Sequence, residues 1–193
     1  MDEGRAGQLA LRRARLARAP DVERLVSAVS LATGDIATGA HGPVVASVGL
    51  PFLIAELSGR DALRRIAPDP GALAEVFGLA GVTGLHLYTR ETAPGDAPGR
   101  ACDLSARMVC RMPMVVEDPA TGSANCALVA LLAQLAPQPD TVVEVTVAQG
   151  VDMGRPSLLH ACAHKAAGTI GTVNVGGRCV GIMEGSLGLE GLE

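Results

Sequence analysis

Apolar positions along this chain change period several times, and each change marks an element. From Asp21 to Leu31, Val22, Leu25, Val26 and Val29 share one helical face behind an Asp21 N-cap. Residues 34–42 then read as loop. Val44–Val48 and Phe52–Leu57 are short apolar runs of strand character, broken at Gly49-Leu50-Pro51. Asp61–Ile66 predicts a turn of helix. Asp69-Pro70 starts a clearer helix running to Leu79, since proline suits a first helical turn and Leu73, Val76 and Phe77 keep helical spacing. Leu85–Thr89 alternates and reads as a strand, residues 91–99 (ETAPGDAPG) as an exposed loop, and 101–116 as a stretch holding at least one strand.

The strongest helical signal is Ser123–Leu135, apolar almost all round, which is the mark of a helix buried in a core. Four strands are expected after it: Val142–Ala148, Ser157–His164, Thr169–Val175 and Cys179–Met183. Gly176-Gly177 is expected as the hairpin turn before the last. A buried helix among short strands predicts an α+β fold in which a curled, mostly antiparallel sheet wraps round a central helix. Residues 1–20, rich in arginine, read as a lead-in that is solvated, partly helical or disordered, ahead of one domain over 21–193.

The most informative polar stretch is EDPATGSAN, residues 117–125, directly before that buried helix. Two registers are open: Asp118 as N-cap with Pro119 in the first turn, or Thr121 as N-cap with Gly122 and Ser123 opening the helix. In either, backbone N–H groups around 121–125 lack intrahelical partners and carry the positive end of the helix dipole. Gly122 permits close approach, Thr121 and Ser123 add hydroxyls, and the set forms a cradle for a carboxylate or phosphate. Asp118 beside it is placed to handle a proton or orient a ligand. The plainer reading is helix capping, for which Asp, Thr and Ser are the usual residues. The stretch is not a P-loop, having no lysine after the glycine.

EDPATGSAN followed by CALVALLA, then QGVDMGRPS at 149–157 and VGGRCVGIMEGSL at 175–187, resembles the C-terminal half of the PhzF-like (phenazine-biosynthesis) isomerase family. The resemblance covers most of residues 40–187. It implies a diaminopimelate epimerase-like fold of two similar lobes with the active site between them. It also implies cofactor-free proton transfer at carbon on a small carboxylate substrate. By it, Asp118 and Ser123 match the family's C-terminal catalytic residues, with Asp118 where related epimerases use a thiol, and Thr121, Gly122 and Ala124 would bind substrate. The family's acid/base glutamate and Gly-His-Pro segment of the other lobe have no match; His41 lies between Ala40 and Gly42. A complementary N-terminal lobe or a homodimer is therefore expected to complete the site. The alternative is a truncated, non-catalytic lobe that binds anions or dimerises.

Composition narrows the rest. Aromatics are only 2%, so the core is built from small aliphatic residues, and net charge is −4. Both argue against nucleic-acid binding, which needs basic surface or stacking platforms. Five cysteines without a CxxC pair indicate free thiols and a cytoplasmic setting, and no apolar run reaches the roughly 20 residues of a membrane span. Cys126, one turn into the motif helix, is either a reactive thiol or a small buried hydrophobe. His160, Cys162 and His164 alternate on a strand; the two histidines would stand about 13 Å apart, too far for one metal. Edge-strand residues are the expected role, and no metal site is expected. Glu117 is expected to be exposed or capping, and Arg155 to lie at the surface or pair with Glu117. By the family resemblance, Gln149-Gly150 is expected to form a turn lining the inter-lobe cleft.

Overall fold

The computed structural model describes residues 15–18, 21–97, 99–110, 117–179 and 181–186. In chain order the elements are β1 (Arg15–Arg18), α1 (Val22–Ser27), β2 (Val44–Ser47), β3 (Pro51–Glu56), α2 (Arg60–Arg65), α3 (Pro70–Ala80), β4 (Gly84–Thr89), β5 (Leu104–Cys110), β6 (Glu117–Asp118), α4 (Gly122–Leu135), β7 (Thr141–Gln149), β8 (Ser157–Ala166) and β9 (Thr169–Gly177). The expected caps form. Asp21 accepts from the Glu23 N–H at 3.1 Å, and Asp69 accepts from the Ala72 N–H at 2.8 Å ahead of Pro70. Gly81 ends α3 with φ +63°, a left-handed turn that suits glycine.

The strands form one sheet in the order β1-β2-β3-β4-β5-β7-β8-β9, with β6 attached to β5. β3–β4 and β5–β7 are parallel and the other pairings antiparallel. The sheet curls round α4: one hydrophobic cluster joins Ala46, Phe52, Ile54, Tyr88, Met108, Val147, Ala161 and Val173 to the buried face of Ala124–Leu131. This is the α+β half-barrel that the helix-among-strands pattern predicts.

A second layer was not evident from periodicity. α1, α2 and α3 pack on the opposite face of β2–β5, where Leu25, Leu63, Phe77 and Val76 meet Leu53, Ala55, Leu85, Leu87 and Val109. β3 and β4 are thus covered on both faces: β3 reads as a continuous apolar run, and the alternation of Leu85–Thr89 marks no exposed face, since every residue of β4 is buried. β8 is covered on one face only, and its buried and exposed positions alternate.

Three expectations are corrected. Arg15–Arg18, placed in the lead-in, is an edge strand antiparallel to β2. Gly176 and Gly177 do not turn: they continue β9 and pair with His160 and Leu159. Cys179 and residues 181–183 form no strand, and Ile182 and Met183 are largely exposed; Val180 lies outside the described residues, as do 1–14. The loop at 91–99 is not simply exposed. Asp96 is buried because Arg60, itself 4% exposed, donates through Nε to both its carboxylate oxygens at 2.9 and 3.0 Å. The Ser105 hydroxyl and the Ala93 N–H also donate to Asp96. Burial works to raise the Asp96 pKa, yet these donors hold it below the usual carboxylate range.

Candidate active site at the start of the central helix

β5 is partnered on one side by two strands in succession. Leu104–Ala106 pair with β7, and Met108–Val109 pair with β6. α4 starts just after β6, at this fork. The register aligns Ile54, His86, Met108 and Asp118 in one row across the sheet, and Glu56, Tyr88, Ala106 and Gln149 in the next. Aligned residues of neighbouring strands project to one face, here the face that holds α4.

Of the two registers open from sequence, Thr121 is the N-cap residue. Its side chain does not cap the helix. The hydroxyl instead donates to Asp118 Oδ2 at 2.5 Å. Asp118 does not cap either; its nearest amide contact is the Ala120 N–H, 3.5 Å from Oδ1. The first intrahelical bond runs from the Asn125 N–H to Thr121 O, at 3.1 Å. The amides of Gly122, Ser123 and Ala124 therefore precede the ladder at the positive end of a 14-residue helix. Asp118, Gly122 and Ser123 are half-buried, Thr121 is nearly buried, and the Ala124 side chain belongs to the core. A Cβ on Gly122 would stand 3.3 Å from Val175 Cγ1, so glycine here also lets α4 pack closely on β9.

Two residues that sequence reading passed over or placed elsewhere hold this arrangement. Gln149, expected in a cleft-lining turn, is fully buried at the end of β7. Its Nε2 donates to Asp118 O at 2.7 Å and to Thr121 Oγ1 at 3.0 Å. Its Oε1 accepts from Asn125 Nδ2 at 2.8 Å and from the Thr121 N–H at 3.4 Å. Asn125 Nδ2 also donates to Thr121 O at 2.9 Å. Beneath Asn125 lies His86, wholly buried, whose burial lowers its pKa to about 4. The signal for Gln149 was its place beside Gly150 in the QGVDMGRPS stretch. Gly150 takes φ +77°, and a Cβ there would stand 2.8 Å from Pro119 O, so the turn after β7 is pressed against the motif.

The other candidates resolve differently. Glu117 is neither exposed nor capping: Arg107 binds both its oxygens, each at 2.7 Å. Arg107 Nη1 also donates to Leu63 O at 3.0 Å and Ile66 O at 3.1 Å, closing the C-terminal end of α2. Arg155 is exposed and is not the partner of Glu117. Cys126 is fully buried, and burial pushes its thiol up to about 11, so it is a packing residue. His160, Cys162 and His164 lie on β8, an interior strand rather than an edge, and among the described residues no group of three metal-ligating side chains converges. Also among the described residues, no helix is long and apolar enough to cross a membrane.

Comparison with known proteins bears on the family and the fold. The model of the phenazine biosynthesis-like protein family matches residues 15–185. An uncharacterized isomerase of Mesorhizobium japonicum is 26% identical over 170 residues, covering 86% of this chain and 55% of the relative. The crystal structure of a PhzF-family phenazine biosynthesis protein of Bacillus anthracis superposes with a TM-score of 0.76 at 18% identity, over 89% of this chain and 56% of that one. A PhzF-family protein of Enterococcus faecalis gives 0.54 at 15% identity, over 88% and 53%. The chain thus spans little more than half the length of these relatives. With the diaminopimelate epimerase-like half-barrel, the motif at the start of α4 and a family match over most of its length, the chain belongs to the phenazine biosynthesis-like (PhzF) family.

Proposed function

We propose that this chain supplies one wall of the active site of a PhzF-like isomerase, which moves a proton between carbon atoms of a small carboxylate without a cofactor. Asp118 is the acid/base. Ser123 and the amides of Gly122, Ser123 and Ala124 hold the substrate's carboxylate, and Thr121 orients Asp118. The observation that carries the reading is the diverted cap. Both residues able to close the first turn of α4 bond to each other, leaving the helix N-terminus open for an anion beside a carboxylate. The facing wall comes from a second lobe or from a second copy in a homodimer, and the setting is the cytoplasm.

The test is deuterium uptake at carbon, followed by NMR in D2O with a panel of small unsaturated and hydroxylated carboxylates. Asp118→Asn is expected to slow uptake by about 100-fold or more, the usual worth of a general acid/base. Ser123→Ala is expected to weaken substrate binding. Uptake that is indifferent to Asp118→Asn would remove Asp118 from the chemistry. Carboxylate binding without any uptake would favour the second reading, a non-catalytic anion-binding lobe.

A further inference from the structure

The side-chain amide of Gln149 has one possible orientation. The Asp118 carbonyl can only accept, so the group facing it at 2.7 Å is the NH2. The Thr121 backbone N–H can only donate, so the group facing it is the carbonyl oxygen. The second proton of that NH2 goes to Thr121 Oγ1 at 3.0 Å. Thr121 Oγ1, already accepting, turns its own proton to Asp118 Oδ2. Oδ2 is thereby engaged in a short charge-assisted bond, while Oδ1 has only the long contact with the Ala120 N–H at 3.5 Å. Asn125 Nδ2 fixes the far side of the amide at 2.8 Å. His86 backs Asn125 from inside the barrel without a hydrogen bond of good geometry.

We propose that Gln149 is a positioning residue: acting through Thr121, it anchors Oδ2 of Asp118 and leaves Oδ1 as the oxygen that exchanges a proton with substrate. This rests on the isomerase reading for its catalytic meaning but not for its geometry. An amide in the reverse orientation would offer Thr121 Oγ1 an acceptor. The hydroxyl would then donate to Gln149, and Asp118 would lose its anchor.

The experiment uses 13C,15N-labelled protein. Wild type is expected to show a Thr121 hydroxyl proton shifted downfield by its carboxylate partner, and Gln149 side-chain amide protons in slow exchange with solvent. In Gln149→Glu and in Gln149→Met the hydroxyl resonance is expected to vanish while the backbone amide shifts of α4 stay in place. In the deuterium-uptake assay Gln149→Met is expected to lower kcat by about 10- to 100-fold, the usual cost of a misplaced catalytic group, with KM little changed. Thr121→Val is expected to do the same, and Thr121→Ser to retain the wild-type rate. A hydroxyl resonance that persists without Gln149, or a kcat untouched once the resonance is gone, overturns the proposal. Should wild type take up no deuterium from any carboxylate, the isomerase reading fails, and the hydroxyl resonance alone still decides the role of Gln149. Should a Gln149 variant not fold, the Thr121→Val and Thr121→Ser pair decides it.

Discussion

Thr121 stands where a threonine hydroxyl ordinarily closes a helix, and instead points to a neighbouring carboxylate. Capping statistics in sequence count residue types and cannot see which proton goes where, so EDPATGSAN alone favours the cap over the anion cradle. His86 was equally hidden, as one polar residue in an apolar run. It is buried and neutral in the folded protein, with a pKa near 4 against 6.5 when exposed. Between those values the unfolded chain binds a proton that the folded chain does not, so stability rises with pH across the window. The contribution is complete above about pH 6.5, is lost as pH falls to about 4, and is worth about 3 kcal/mol. Urea unfolding of wild type and His86→Phe at several pH values is expected to show a shallower loss toward pH 4 in the variant. Cys126 follows the same logic. With its thiol raised to about 11 and no exposure, it is expected to resist iodoacetamide in native protein while the exposed Cys179 reacts, as read by peptide mass mapping.

At the scale of elements, helices and strands were largely legible because each has its own period. α3 and α4 fall within about one residue of the expected bounds, and β2 to β5 follow the apolar runs. The failures have physical causes. Gly176-Gly177 carries a turn signature, but β8 is long enough to pair through it. The 91–99 loop looks solvated, but Arg60, 36 residues upstream of the buried Asp96, reaches it with its side chain, and its backbone N–H donates to the Glu91 carboxylate at 3.0 Å. Long-range ion pairs leave no periodic trace. The Arg60 guanidinium joins Asp96 to Asp152, whose oxygens it meets at 2.9 and 3.0 Å, and so ties α2, the 91–99 loop and the turn after β7 together. Although burial alone would lower its pKa, the two carboxylates hold the guanidinium charge firmly. Arg60→Met leaves Asp96 buried and unpaired, and is expected to cost about 3–5 kcal/mol, measured by chemical denaturation.

For the whole molecule, the fold class was readable from one apolar helix set among glycine-punctuated strands. The outer layer of α1, α2 and α3 was not, because helical periodicity reports that a face is buried and not which sheet buries it. The same topology brings Asp118, at the end of β6, close to Ser123 in the first turn of α4. The candidate site lies where the helix enters the curl of the sheet.

The fork on β5 has a mechanical meaning. Among the described residues β6 is stitched to β5 by two residue pairs, and β7 stops before reaching it. Across that gap Gln149 bonds to the Asp118 carbonyl much as another strand's peptide would, so a side-chain amide serves as the missing rung of the ladder. β6 and β7 are each held to β5 by backbone pairing, and the Gln149 side chain links them to each other. Loss of the Gln149 amide would remove this side-chain link between β6 and β7, directly beside the Asp118 carboxylate.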